Sequence, residues 1–575
     1  MNHSDWPAGT RTLDLSVDDL PHASSGTEWW YLNLHLRTTD GGQFSAFVAF
    51  FRTATLDEAD RLVDSHTASW AIVDVARKRY LHESLADAAT IDAARDVLSS
   101  DTVTDWRVRQ ALLAVMESGE VPLPDRRLLG EVSVAADRLD LRYGNSGRFH
   151  KDEDGNYQLT VIDVAGRHGL TVTLTPSKGP VRHGTDGIVR GTHEDDRDGM
   201  FYYCIPRCRL QGTILVDGDR KPLAGGSAWY DHEFGGEPRQ RHRGLGTSEA
   251  AWDWAGVVLD NGWDVSLYSV FDVDVHTGVR TTRDAPAIAV GPNGERVQLE
   301  DARLEGSDEW TSVRTFNSYP TRWRLRTAFR DTDLVLTAVF PDQECRTLSA
   351  GRGFWEGRVD VIGVMGGHEV RGVGFVEVLP AQVVTDIERY LGRVGHETQG
   401  QVRRFYPDQV TGSTVGSLVG AALAALGGIS TRKVQDFVVE PVRHIVDAGG
   451  KSWRGFLLLA AIELAGGDVE RYRPLLGAIE LIHSGSLIID DIQDGSPLRR
   501  GVPTAHHRYG IAHAINAGTA AYFAFDRVLR DLAVSDVQRV KIYETYFRRH
   551  AGRPHRPGPR HRRTLGSPRR GRHRR

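Results

Sequence analysis

The spacing of apolar residues changes once along this chain, near residue 380, and that change limits the folds open to it. Before that point apolar positions alternate, as in "TEWWYLNLHLRTTDGGQFSAFVAFFRT" (27–53), where an Asp-Gly-Gly turn joins two runs. The pattern returns in 157–176, 321–344 and 357–380. Alternation with Gly and Asp turns predicts hairpins of half-buried strands. After about residue 385 the apolar residues recur every three or four positions, in stretches such as "SWRGFLLLAAIELAGG" separated by Gly-Gly breaks. That spacing predicts helices. Twelve of the thirteen tryptophans precede residue 380; only Trp453 lies beyond it. The chain therefore holds a mainly β part and an all-α part. The β part is too long for one small barrel, and we divide it into halves 1–190 and 191–384. One helical patch is expected inside it, at 82–118. The all-α domain runs over 385–552.

A length of 575 residues suits several domains, and 40 % hydrophobic content is ordinary for a globular protein. The net charge of −5 hides an asymmetry. Residues 553–575 hold ten arginines and no acid, so the rest carries −5 − 10 = −15. An acidic body argues against nucleic acid as the partner. Three cysteines make no disulfide framework, and Cys204 and Cys208 lack neighbours that would complete a zinc set. The N-terminus has no basic-then-apolar leader, and no apolar run reaches the length of a transmembrane helix. A cytoplasmic protein is expected. The acidic run "HEDDRD" (193–198) is expected to be an exposed loop.

"SLIIDDIQDGSPLRRG" (486–501) concentrates opposed charge at the end of an apolar run. On a helix, His483, Asp490 and Asp494 share a face, with Asp491 beside them. Neighbouring carboxylates repel unless a cation bridges them, and Mg²⁺ between carboxylates and phosphate oxygens would do so. Arg499 and Arg500 could fold back onto the same phosphates as bidentate forks. A solvated acidic helix end is the plainer reading of the motif alone.

Three ordered segments narrow the choice: "GGKSWRG" (449–455), "ELIHSGSLIIDDIQDGSPLRRG" (480–501) and "PTAHHRYGIAHAINAG" (503–518). They resemble the isoprenyl diphosphate synthases of the polyprenyl synthetase family. The resemblance implies that Asp490, Asp491 and Asp494 hold Mg²⁺ on an allylic prenyl diphosphate, which Arg499 also contacts. It implies that Lys451, Arg454, His483 and Arg500 bind isopentenyl diphosphate. The implied reaction ionises the allylic diphosphate, and the isopentenyl double bond attacks the cation. Gly485 and Ser486 stand where bulky residues floor the pocket in that family, which suggests a product of geranylgeranyl length or longer. The family usually forms homodimers. Its second aspartate-rich motif is absent, since the resemblance stops near "VQRVKIYETYFRRHAG" (537–552) and gives way to "RPHRPGPRHRRTLGSPRRGRHRR". We read 553–575 as a disordered basic tail produced by a reading-frame shift; a basic arm for nucleic acid or anionic lipid is the alternative. The truncated domain is expected to show little prenyl transfer.

The β part has its own constellation: "GTEWWYLNLHL" (26–36), "SWAIVDVARKRYLHES" (69–84), "GGSAWYDHEFGG" (225–236) and "AWDWAGVVLDNGWDVSLYSV" (251–270). These resemble the lipocalin-like family of hydroxyneurosporene synthase and AttH-type proteins. The implied fold is a lipocalin-like double barrel, fused here to an incomplete helical bundle. Aromatic faces suit a hydrophobic terpenoid and stabilise carbocations. A carboxyl kept protonated by an apolar site can protonate an alkene, after which water or an internal alkene quenches the cation. Asp231 is the preferred acid, with His232 and Glu233 as alternatives. Trp30, Tyr31, Trp229, Trp252 and Trp254 are the expected lining. In a regular strand Asp231 and His232 cannot face the same side. "WYDHEFG" could equally hold a barrel corner. The two halves together suggest a bifunctional parent in isoprenoid biosynthesis, the β part hydrating or cyclising a terpenoid. The alternative is a hydrophobic-ligand carrier joined to an inactive prenyltransferase remnant.

Overall fold

The computed structural model describes residues 5–551 except 8, 10, 58–60, 100–112, 118–120, 122–123, 185, 190–198, 241–249, 274–279, 316, 348–352, 381–386 and 420–426. The loop expected at 193–198 and the tail at 553–575 lie outside the described residues. The chain forms two compact units, Met1–Val394 and Gly395–Arg575.

The first unit is built on two large, curled antiparallel sheets. In the first, Thr27–Thr38 lies between Gln43–Leu56 and Asp219–Gly235, and the latter pairs on with Met200–Val216. In the second, Ala250–Leu259 lies between Asp264–Val273 and His368–Leu379, which continues to Phe354–Met365. The first sheet thus keeps the strands up to Gln240, and the second begins at Ala250. The sequence division at 190/191 falls between strands of the first sheet, because Asp219–Gly235 pairs with the distant Thr27–Thr38, and Met200–Val216 pairs with Asp219–Gly235 and Gly169–Pro176. Such long-range pairing leaves no local signal. The expected patch at 82–118 also divides. Residues up to Ala86 belong to the strand Arg79–Ala86, paired with Leu62–Asp74, and the helix begins at Ala88.

Alternation sorts the side chains into three cores. Trp30, Leu32, Leu34 and Leu36 enter one core with Ala228 and Tyr230 on one face of the first sheet. Val257, Leu259, Trp355 and Val376 fill the corresponding core of the second. The third core joins the opposite faces of both sheets, where Tyr31, Phe47, Tyr202 and Trp229 meet Trp254, Phe354 and Phe375. Polar bonds tie the sheets at its edge. Asp264 of the second sheet is fully buried and takes Lys178 and Arg207 at 2.6 Å each. A buried carboxylate needs such pairing.

The second unit is helical, with Trp453–Leu464, Leu475–Asp494, Ile511–Asp531 and Asp536–Ala551 as its longer elements. Leu481 and Ile488 pack with Ala514, Ala517 and Ala521. Gly485 and Gly518 let the two helices approach closely. A Cβ on Gly485 would meet the Gly518 carbonyl oxygen at 2.7 Å and the Ala521 Cβ at 3.1 Å. Replacing Gly485 by leucine is therefore expected to lower the stability of this unit by about 1–3 kcal/mol, the usual cost of overpacking. Thermal unfolding of the full-length variant measures this, and an unchanged transition would contradict the packing. Among the described residues, no helix is long and apolar enough to cross a membrane.

Candidate functional site

The strand Asp219–Gly235 presents its successive residues to opposite sides. Trp229, Asp231 and Glu233 face the second sheet, while Tyr230 and His232 face the first sheet's own core. Among the described residues, Asp231 receives side-chain hydrogen bonds on one oxygen. The Trp229 indole donates to Oδ1 at 2.7 Å, and the Tyr202 hydroxyl donates to the same atom at 2.8 Å. The Trp254 indole of the second sheet donates to the Tyr202 oxygen at 3.0 Å. Burial pushes the Asp231 carboxyl up to about 8, despite these two donors. With Oδ1 occupied as acceptor, Oδ2 is left to carry the proton. Burial also raises Glu233, and the charges of Asp231 and Glu377 raise it further.

Aromatic rings enclose this acid. Trp254 makes edge contacts with Trp229 and Tyr31, both at 6.1 Å between centroids. Trp252 is half-buried and donates to Glu377 Oε1 at 3.1 Å. Trp30 does not join them. It stacks on His232 on the other face, 5.2 Å away, because residues 30 and 31 of one strand point apart. His232 likewise belongs elsewhere. Its Nε2 meets Glu28 Oε1 at 2.9 Å, its Nδ1 meets the Tyr203 hydroxyl at 3.1 Å, and burial lowers its pKa. Burial pushes Glu28 up, but hydrogen bonds from His22 and His232 outweigh it and hold the carboxylate at about 2. This second cluster, with Arg52 bonded to the carbonyls of His22 and Ser25, anchors the "EWWY" and "WYDHEFG" strands to each other. The motif thus presents a hydrogen-bonded anchoring cluster on one face and the Asp231 carboxyl on the other.

The sequence reading missed two acids of the second sheet, Glu356 and Glu377, which pair directly across antiparallel strands. Both sit in runs whose alternation reads as apolar, so only the register puts them opposite Asp231. Asn33 donates to Glu356 Oε1 at 3.2 Å, and the Tyr31 hydroxyl also hydrogen-bonds this carboxyl. Burial raises Glu356 well above the usual carboxyl range and Glu377 to about 7.

In the helical unit the basic residues come together. Lys451, Arg454, His483 and Arg500 line one cavity of about 220 Å³ with Glu480 and Gln399. Arg500 donates to Glu480 at 2.9 Å and to the Ile445 carbonyl at 3.0 Å. Burial lowers the His483 pKa, and the Arg454 charge lowers it further. This is a cationic pocket suited to an oxyanion.

The three aspartates do not act alike. Asp490 and Asp494 are exposed, one turn apart at the end of the Leu475–Asp494 helix. Asp491 is fully buried, with Arg499 Nε 3.0 Å from Oδ1 and 3.3 Å from Oδ2. Two exposed carboxylates fit an Mg²⁺ ion that keeps water and phosphate oxygens. Asp491 and Arg499 satisfy each other instead. Gly485 packs against Gly518 and Ala521. Ser486 donates to the His483 carbonyl at 2.6 Å and lies beside Tyr522. Tyr522, Ile489, Ile492 and Phe523 line an open apolar groove of about 520 Å³.

Comparison with known proteins places both units. The AttH-like family model matches residues 7–379, and the polyprenyl synthetase model matches residues 435–552. A geranylgeranyl pyrophosphate synthase of Aspergillus flavus is 37 % identical over 121 residues, covering 21 % of this chain and 34 % of that protein. A geranylgeranyl diphosphate synthase of Methanosarcina mazei is 38 % identical over 102 residues, covering 18 % of this chain and 32 % of that protein. The chain thus spans about a third of the length of these curated relatives. A crystal structure from Nitrosomonas europaea, assigned as an AttH, is 23 % identical with a TM-score of 0.48, covering 65 % of this chain and 98 % of that one. The chain belongs to the AttH-like family, and behind that domain it carries a segment similar to the polyprenyl synthetase family.

Proposed function

We propose that this protein serves isoprenoid biosynthesis, and that its AttH-like domain protonates an alkene of a linear isoprenoid. The observation that supports this best is Asp231: a buried carboxyl between two sheets, with one oxygen held by Trp229 and Tyr202. Proton transfer from Oδ2 to an alkene carbon creates a carbocation. The faces of Tyr31, Trp229 and Trp254 stabilise that charge where water could not. Addition of water then gives an alcohol; attack by a second alkene gives a ring. The full chain incubated with geranylgeraniol in D₂O tests this. Carbon-bound deuterium in a hydrated or cyclised product is the expected result, and recovery of unlabelled starting material alone would count against it.

The helical segment is proposed to bind a prenyl diphosphate, and to contribute half of a prenyl-transfer site in a complete bundle. Magnesium, when bound, would neutralise the diphosphate oxygens and assist their departure. Asp490 and Asp494 would hold it, while Lys451, Arg454 and Arg500 would bind the second diphosphate, that of isopentenyl diphosphate. His483 reports on that event. Its pKa is depressed by burial and by Arg454, so an anion in the cavity must raise it. Histidine NMR titration with and without magnesium pyrophosphate is expected to show an upward shift of His483, abolished in Lys451→Ala/Arg454→Ala. An unmoved His483 would contradict the assignment of the cavity.

A further inference from the structure

We propose that Glu377, on the second sheet, is the base that completes the reaction Asp231 begins on the first, taking a proton from the water that quenches the cation. This rests on the alkene-protonating reading of the site. Each acid is held by a tryptophan: Trp229 donates to Asp231 at 2.7 Å and Trp252 to Glu377 at 3.1 Å. Trp254 connects them. It pairs directly across from Glu377 in the second sheet, and its indole reaches the Tyr202 oxygen whose hydroxyl holds Asp231. Asp231 is buried at 4 % exposure, whereas Glu377 is half-buried. Water therefore reaches the Glu377 side of the pair more readily.

The neighbouring carboxyls decide which group is ionised. Glu356 lies directly opposite Glu377 across the strand pair. Two opposed carboxylates repel, so one of them stays protonated. Glu356 is the more deeply buried, and burial and the Glu377 charge both raise it, so it keeps its proton. Glu377, more exposed and holding an indole N–H, is the one that ionises. Asp231, Glu233 and Glu356 are the other acids acting on this site, with the hydroxyls of Tyr31 and Tyr202. Burial raises both carboxyls, Glu377 to about 7 and Asp231 to about 8.

The step balances without a redox partner. The Asp231 O–H bond breaks and the alkene π pair forms a C–H bond. The water oxygen forms a C–O bond to the cation, and one water O–H bond breaks with its proton passing to Glu377. Exchange with bulk water returns the proton to Asp231.

The test uses the full chain with geranylgeraniol in D₂O, comparing Glu377→Gln, Trp252→Phe and Asp231→Asn with the wild type. Glu377→Gln is expected to lose hydration by at least about 100-fold, while deuterium still exchanges into recovered alkene. Asp231→Asn is expected to lose both. Trp252→Phe removes a donor to the Glu377 carboxylate, so the acidic limb of the pH–rate profile near 7 should move up and the alkaline limb should stay. Hydration by Glu377→Gln at the wild-type rate overturns the base and leaves the Asp231 reading intact. Loss of exchange in Glu377→Gln also overturns it, since Glu377 would then be needed for protonation. A wild type that neither exchanges nor hydrates takes down the underlying reading and this proposal with it.

Discussion

Asp231→Asn is expected to reduce alkene protonation by about 100- to 10,000-fold, the range for loss of a general acid. Asparagine keeps the shape and an Oδ1 that Trp229 and Tyr202 can still reach, so ligand binding should persist. Lost turnover with retained binding separates an acid catalyst from a carrier. The wild-type rate should fall as pH rises through about 8, where Asp231 loses its proton. The same group sets a stability trend. Its pKa is raised from 3.8 to about 8 on folding, so the stability of the neutral form is complete below about 3.8 and declines until pH passes about 8. The asparagine of the variant does not titrate and has no such decline. The variant should therefore gain on the wild type between about pH 6 and about pH 9, by roughly 3 kcal/mol, since about two of the four pKa units of the shift lie above pH 6. Melting curves of both proteins at the two pH values check the sign; a wild type that gains on the variant would sink the assignment.

Arg499→Ala should destabilise the helical unit by roughly 3–5 kcal/mol, because it strands a buried charge. Asp491 is fully buried, and Arg499 binds both of its oxygens. Asp490→Ala and Asp494→Ala touch exposed carboxylates and should move stability by no more than about 0.5 kcal/mol. Their effect should emerge instead in calorimetry, as loss of magnesium-dependent pyrophosphate binding. A DDxxD motif read as three equivalent ligands predicts the opposite grouping, with all three aspartates alike. Thermal unfolding of the full-length variants distinguishes the two, and an Arg499→Ala protein as stable as the wild type would refute the buried pair.

The chain's local patterns settled a good deal. Apolar alternation marked the hairpins 27–53 and 357–380, since a half-buried strand shows its period within a few residues. The order Lys451, Arg454, His483 and Arg500 was legible because a few close motifs carry it. The period-two rule alone separated Asp231 from His232. Tertiary structure decided which face each belongs to. Trp30 and Tyr31 look equivalent in "EWWY", yet one packs on His232 and the other meets Trp254. Glu356 and Glu377 had no motif, and became part of the site only through the register of two strands and the meeting of two sheets. Gly485 read as a small residue by spacing, and only the fold shows that Gly518 and Ala521 of the later helix pack against it. Asp491 differs from Asp490 for a similar reason: burial depends on what packs against a side chain, and the residues that do so lie outside its own segment. Sequence spacing determines the face on which a side chain emerges. Only the tertiary fold determines what waits there, and hence whether a carboxyl ends up as an acid, a base, a metal ligand or half of an ion pair.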